Sequence, residues 1–194
     1  STGSAQVKVA ILDTGIKFDH EDIQKNLRPA QTELVENGVD DDGNGWKDDA
    51  FGWNFIGQNN QPEDDNGHGT FCAGILGADW NNEKGSRGVL EKVSLLPVKV
   101  LDHLGQGSTA TAIEGIDYAL KTGAQIANIS WGGNQFDPAL YQVMKEATQK
   151  GLLIVVAAGN SGGDNDDPSE AIYPAGFSIP GLISVAAYDA KGER

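Results

Sequence analysis

The sequence is short of cysteine, methionine and positive charge: one Cys, one Met, and 14 basic against 28 acidic side chains in 194 residues. A lone cysteine, Cys72, excludes an internal disulfide. A net charge of −14 argues against nucleic acid and anionic membranes as partners, since both repel it. No run approaches the roughly 20 apolar residues of a membrane span, and Ser1 to Gln6 carries no signal-peptide hydrophobic region, so an exported protein would be represented here in processed form. The length suffices for one sizeable core, and a single domain without repeats is expected.

What is present begins with Asn66 to Ala78, NGHGTFCAGILGA, which reads as a helix start capped by Asn66, with His68 between two glycines. An imidazole is the side chain best suited to exchange a proton near neutral pH, and this one is presented rather than buried in an apolar run. A histidine in a plain Gly-rich turn would look the same, so its partners decide. Val7 to Leu12 is a nearly continuous apolar run, the pattern of a buried parallel strand, and it ends in Asp13-Thr14-Gly15. In open α/β sheets chemistry sits at the carboxyl ends of strands, so Asp13 is placed to hold an imidazole. A second such run, Leu152 to Val156, leads through Ala157, Ala158 and Gly159 to Asn160, whose amide is a candidate oxyanion donor. Cys72, in the run FCAGIL, reads as a small packing residue rather than a nucleophile.

Further strands are predicted over Val93 to Leu101, with Pro97 an objection to a central position, and over Gln125 to Ser130 and Leu182 to Ala187. Ser108 caps a helix reaching Lys121, and Asp137-Pro138 opens another that Gly151 ends. Strand and helix alternate, which predicts an α/β fold with a parallel sheet flanked by helices on both faces.

The acid is clustered. In DDDGNGWKDD, Asp40, Asp42 and Asn44, with Gly45 at the turn, the Trp46 carbonyl and Asp48 at the ninth position, reproduce the opening of an EF-hand loop. Phe51 stands where a bidentate Glu belongs, so the loop is not an EF-hand, and Asp49 is the candidate for the missing oxygens. Glu63 to Asp65 and Asp164, Asp166 and Asp167 form two more acidic runs, each readable as solvated surface or as calcium ligands.

In order along the chain, VAILDTGI, NGHGTFCAG, LLPVKVLD, NISWGG and VVAAGNSG resemble the successive motifs of the subtilisin-like (subtilase) serine protease catalytic domain, and residues 1–194 resemble its N-terminal two-thirds. The resemblance implies peptide-bond hydrolysis by acyl transfer. Asp13 would orient His68, His68 would act as general base and then acid, and Asn160 would donate to the oxyanion, a contact worth about 3 to 4 kcal/mol. It further implies that Leu101, Gly105, Gly107, Ser130, Trp131 and Gly132 pair with an extended peptide, and that Ala157, Gly159 and Tyr173 line the primary pocket. With Ser161 leaving that pocket's edge uncharged, a small or apolar side chain is expected there. Asp22 and Asn82 match family calcium ligands, so Ca2+ is the implied cofactor, and Cys72 resembles the free cysteine of the proteinase-K-like branch.

The pattern departs from the family in one place that matters. No serine here stands in the nucleophile motif, Ser161 and Ser178 being in the wrong context. The expectation is therefore a C-terminal fragment of the same protease, cut after Arg194 or otherwise separate, that supplies the serine and covers apolar surface. Peptide or protein substrates, and a propeptide or protein inhibitor, are the other implied partners. Two rivals remain at this point: an aspartic protease read from Asp13-Thr14-Gly15, which lacks the Ser or Thr expected at Ile16, and a calcium-dependent binding module or pseudoprotease. A disulfide-free, calcium-loaded protease fits a secreted or extracellular setting, with intracellular members known in the family.

Overall fold

The computed structural model describes residues 2–30 and 32–192, so the expectation placed on the last two residues, Glu193 and Arg194, lies outside the described residues. Six strands form one sheet: β1 (Gly3–Asp13), β2 (Trp53–Asn54), β3 (Lys92–Lys99), β4 (Ile126–Ile129), β5 (Leu153–Ala157) and β6 (Leu182–Val185). Their spatial order is β2-β3-β1-β4-β5-β6, and every neighbouring pair is parallel. The fold is α/β, as the alternation of patterns implied.

Three helices cover the sheet: α1 (His68–Gly77), α2 (Thr109–Lys121) and α3 (Pro138–Gln149). The period of two along each strand divides the core between the faces. Val9 and Ile11 of β1 pack with Val93, Leu95 and Ala73 of α1, whereas Ala10 and Leu12 pack with Leu96, Val98, Ile116 of α2 and Met144 of α3. Hence α1 lies on one face and α2 with α3 on the other. On the face that α1 occupies, β5 and β6 present Val155, Ile183 and Val185 in register, with Ile183 and Val185 exposed.

Local chemistry sets the helix ends. Ser108 accepts from Thr111 N at 3.1 Å while Thr111 Oγ1 accepts from Ser108 N at 3.1 Å, a reciprocal cap on α2. Asp137 accepts from Ala139 N and Leu140 N, with Pro138 at the first helical position of α3. Pro97 does sit inside β3, next to the centre of the sheet, because β2 pairs only with Val98 and Lys99 and leaves that flank free of a ladder at Pro97. The two-residue β2 carries too little pattern to be read from sequence.

Candidate active site

β1 ends at Asp13, fully buried, and α1 begins at His68, whose side chain is 46% exposed. His68 Nδ1 lies 2.7 Å from Asp13 Oδ1. An ionised carboxylate only accepts, so Nδ1 carries the ring proton and Nε2 keeps its lone pair for a substrate-side proton. The same carboxylate oxygen accepts from Thr14 N at 2.8 Å. Cys72 Sγ is 3.9 Å from His68 Nδ1, and burial pushes its thiol above the ordinary range, with the nearby Asp13 charge adding to the effect. That shift disfavours the thiolate, the form a nucleophilic cysteine needs.

The cap of α1 differs from expectation. Gly67, in the left-handed region at φ 109°, occupies the N-cap position and contributes no side chain. Asn66 Oδ1 accepts from His68 N at 3.2 Å, but the larger share of the work falls to Asp64. Its Oδ1 accepts from Asn66 N, Gly67 N and Thr14 Oγ1 at 3.0, 2.9 and 2.8 Å, and its Oδ2 from Thr70 N and Thr70 Oγ1 at 2.9 and 2.5 Å. Burial opposes ionisation of Asp64, yet these bonds together hold its pKa at about 2. Thr14 Oγ1 also accepts from Gly69 N at 3.0 Å, tying the residue after Asp13 to the residue after His68.

Two more features hold this corner. A Cβ on Gly69 would stand 2.1 Å from Gly15 O, so only glycine lets α1 approach the Asp13-Thr14-Gly15 turn this closely. Lys99, buried at the end of β3, donates to Thr14 O and to Asp65 Oδ1, both at 2.6 Å. The acidic run Glu63 to Asp65 is engaged within the chain: Glu63 pairs with Lys17, Asp64 caps α1, and Asp65 pairs with Lys99. The sequence alone gives Thr14 only as part of a turn and Asp64 only as part of an acidic run, and does not single out Lys99. The one available signal was a carboxylate four residues before His68, ahead of a helix start.

Asn160 is exposed just beyond β5, at the same edge of the sheet as Asp13. With β4 between β1 and β5, the two strand ends are about 10 Å apart at a strand spacing of about 4.8 Å. Of the residues expected to meet substrate, Leu101, Gly105, Gly107, Trp131, Gly132 and Tyr173 line one cleft of about 470 Å³, between the segments that follow β3 and β4. Trp131 is pinned there by its indole N–H, which donates to Leu12 O at 2.8 Å. Ser130 does not line this cleft; its hydroxyl accepts from Asn128 Nδ2 at 2.9 Å. Ala157 lies within β5, and Gly159 belongs with Asn160 to a second cleft of about 780 Å³. Asp164, Asp166 and Glu170 wall that cleft, because the loop folds back until Asp164 N donates to Glu170 Oε2 at 2.9 Å. The edge of this second cleft is acidic.

The family model described as "Subtilase family" matches residues 4–194. The chain belongs to the subtilase family. It is 36% identical over 187 residues to thermitase of Thermoactinomyces vulgaris, covering 96% of this chain and 57% of that protein. It is 37% identical over 184 residues to the major intracellular serine protease of Bacillus subtilis (strain 168), covering 93% of this chain and 52% of the relative. Subtilisin-like protease 1 of Plasmodium falciparum is 32% identical over 154 residues, 79% of this chain and 22% of that one. The chain thus spans little more than half the length of the first two relatives. Membership of this family, with a parallel α/β sheet, rules out the aspartic-protease reading of Asp13-Thr14-Gly15.

Two further acidic places in the subtilase chain are the ones expected to hold metal. Asp22 is buried, its Oδ1 accepting from Asn82 Nδ2 at 2.7 Å and its Oδ2 from Ser86 N at 2.9 Å. The two expected ligands are therefore in contact, with Asn82 turning its nitrogen toward Asp22. In the 40–49 loop, Asp40 accepts from Asn44 N and Gly45 N, and Asp48 accepts from Asn37 N and Gly38 N. Trp46 N donates to Asn44 Oδ1 at 2.8 Å. The carboxylates that meet are those of Asp42, Asp49 and Glu33, the last unread in the sequence because it lies seven residues before the acidic run.

Proposed function

We propose that this chain forms part of a serine endopeptidase that hydrolyses peptide bonds by Asp-His-Ser acyl transfer. The observation carrying the proposal is the 2.7 Å contact between His68 Nδ1 and the buried Asp13 carboxylate, at the carboxyl edge of a parallel sheet in a subtilase. A serine hydroxyl would attack the scissile carbonyl and pass its proton to His68 Nε2. The leaving amine takes that proton as the C–N bond breaks, and water then repeats the sequence to free the acyl group. Asp13 holds the imidazole's tautomer and balances the imidazolium, while Asn160 donates to the oxyanion.

The nucleophile comes from a segment outside these 194 residues, a separate or cleaved C-terminal fragment in this reading. The bare face over β5 and β6, with Ile183 and Val185 exposed, and Phe71 and Ile75 exposed on α1, supports a further apolar element beside α1. An extended peptide would lie along the cleft that Leu101, Gly105, Gly107 and Gly132 line, with Ser130, Ala157 and Gly159 contributing backbone. The carboxylates beside Asn160 disfavour acidic side chains in the neighbouring cleft. Calcium is the cofactor in this reading, at Asp22 with Asn82 and at the 40–49 loop. A secreted setting goes with it, as do a propeptide or inhibitor as regulatory partners; among the described residues no helix is long and apolar enough to cross a membrane.

The test is labelling of the full-length protein with a fluorophosphonate, beside cleavage of a peptide library, for wild type and His68→Ala. Labelling and cleavage in wild type alone support the reading, and an intact mass and denaturing gel show whether the labelled serine travels on a separate chain. A folded protein that neither labels nor cleaves returns the function to a binding module.

A further inference from the structure

The peptide cleft and the general base stand on different elements. Leu101, Gly105 and Gly107, which line the cleft, belong to the connection between β3 and α2, whereas His68 opens α1. That connection folds on Asp102. Its Oδ1 accepts from Leu104 N at 2.9 Å and Gln106 N at 3.0 Å, its N donates to Gln106 O at 2.8 Å, and its O accepts from Gly105 N at 3.0 Å. A carboxylate bonded to amides two and four residues on makes residues 102–106 a closed turn. The backbone leading into the turn is tied to Asp13, whose O accepts from Val100 N at 2.9 Å and Leu101 N at 3.1 Å.

The outer end of the turn is tied to His68 through one side chain. Asn66 Nδ2 donates to His103 O at 3.0 Å, and Asn66 Oδ1 accepts from His68 N at 3.2 Å. A backbone carbonyl only accepts and a backbone amide only donates, so the two partners fix which end of the carboxamide is which. Among the described residues no other hydrogen bond joins residues 102–107 to residues 64–70. Gly105, at φ 73° in the left-handed region, stands beside the same amide: a Cβ there would lie 4.0 Å from Asn66 Nδ2. Asn66 does not itself line the cleft. Residues 103–107 are exposed, and an exposed turn without this bond would move independently of α1.

We propose that Asn66 is a positioning residue that holds the peptide-binding turn in register with the general base, so that a peptide seated along residues 101–107 meets His68 at the right distance. It acts through His103 O and His68 N, not by touching substrate. A reacting carbonyl displaced by about 1 Å loses about 10²-fold in rate, and two elements that move separately do not hold that tolerance. Binding energy gained far from the bond to be cut raises kcat only when it aligns the reacting groups. With the tie intact, lengthening a peptide along the turn raises kcat. Without it, the added residues still bind but no longer align the scissile bond. The inference rests on the peptidase reading above and deepens it.

The experiment uses the full-length protein and two substrates that differ in reach, an acetylated leucine anilide and the same anilide extended by three alanines, which adds about 10 Å of chain. In wild type kcat should rise at least tenfold with the extension. In Asn66→Ala that rise should shrink to threefold or less, with KM for the longer anilide within threefold of wild type. Loss of the acceptor for His68 N acts on both anilides alike and cancels in the ratio. Asn66→Asp, close in shape, keeps that acceptor and lacks only the donor to His103 O, so it should show the same collapse and decides the matter if Asn66→Ala fails to fold. No rise with length in wild type, a wild-type ratio in Asn66→Asp, or a loss confined to KM would each overturn the assignment. Wild-type hydrolysis of both anilides keeps the peptidase reading whatever the ratios show, whereas no hydrolysis by wild type would overturn that reading and this inference together.

Discussion

The hydroxyl of Thr14 is bonded to the Asp64 carboxylate at 2.8 Å, and the same hydroxyl accepts from Gly69 N, so the turn that carries Asp13 and the helix that carries His68 share one anchor. The 2.7 Å contact between Asp13 and His68 is therefore a consequence of backbone geometry fixed by neighbours, not of two side chains finding each other.

Replacing Asp64 tests that anchor. Asp64→Ala removes the acceptor for Asn66 N, Gly67 N, Thr70 N and two hydroxyls, and is expected to cut kcat on a peptide substrate tenfold or more with a smaller change in KM. The Asp64 pKa of about 2 adds a pH signature. A carboxyl depressed below its unfolded value of about 3.9 contributes stability that is complete above that value and is lost as pH falls through about 2. Discounted for partial exposure, the contribution is about 1–2 kcal/mol. Urea unfolding of wild type and Asp64→Ala between pH 5 and 2 should show the gap between them closing; a constant gap contradicts the assignment.

Lys99 is the second support. Its buried ammonium joins Thr14 O to Asp65, and Lys99→Met would leave Thr14 O without that donor at a cost of about 1–3 kcal/mol. Lys99→Arg should not restore stability, because a longer, forked group has no room at a position 3% exposed. Chemical denaturation of both variants checks this, with recovery in the arginine variant as the contrary result.

Gly69→Ala puts a methyl 2.1 Å from Gly15 O, a clash with backbone that only a shift of α1 relieves. Destabilisation of about 1–3 kcal/mol is expected from the forced separation. Cleavage should fall about 100-fold, since His68 moves with the helix. Steady-state kinetics with near-normal kcat would show that the close approach is dispensable.

Asn160 is exposed beyond β5, with its expected role in the transition state only. Asn160→Ala should lower kcat about 10²–10³-fold, leave KM within a few-fold, and leave thermal unfolding unchanged. An equal rise in KM would place the amide in ground-state binding instead.

The sequence by itself determined the sheet's parallel character, the two capped helices, and the placement of Asp13 and Asn160 after buried strands, because those follow from short-range periodicity and cap chemistry within a few residues. It was silent on β2, whose two residues carry no period, and it assigned the cap of α1 to Asn66 by local rule where Gly67 takes that position. Tertiary structure alone decided that Asp64 grips the turn 50 residues away and that Lys99 reaches Thr14 across 85 positions. It alone brought Glu33 into contact with Asp42 and Asp49. Spacing encodes which groups share a strand end or helix face, but which carboxylate meets an amide, an ammonium or another carboxylate depends on how separate elements pack, and packing is set by the whole core.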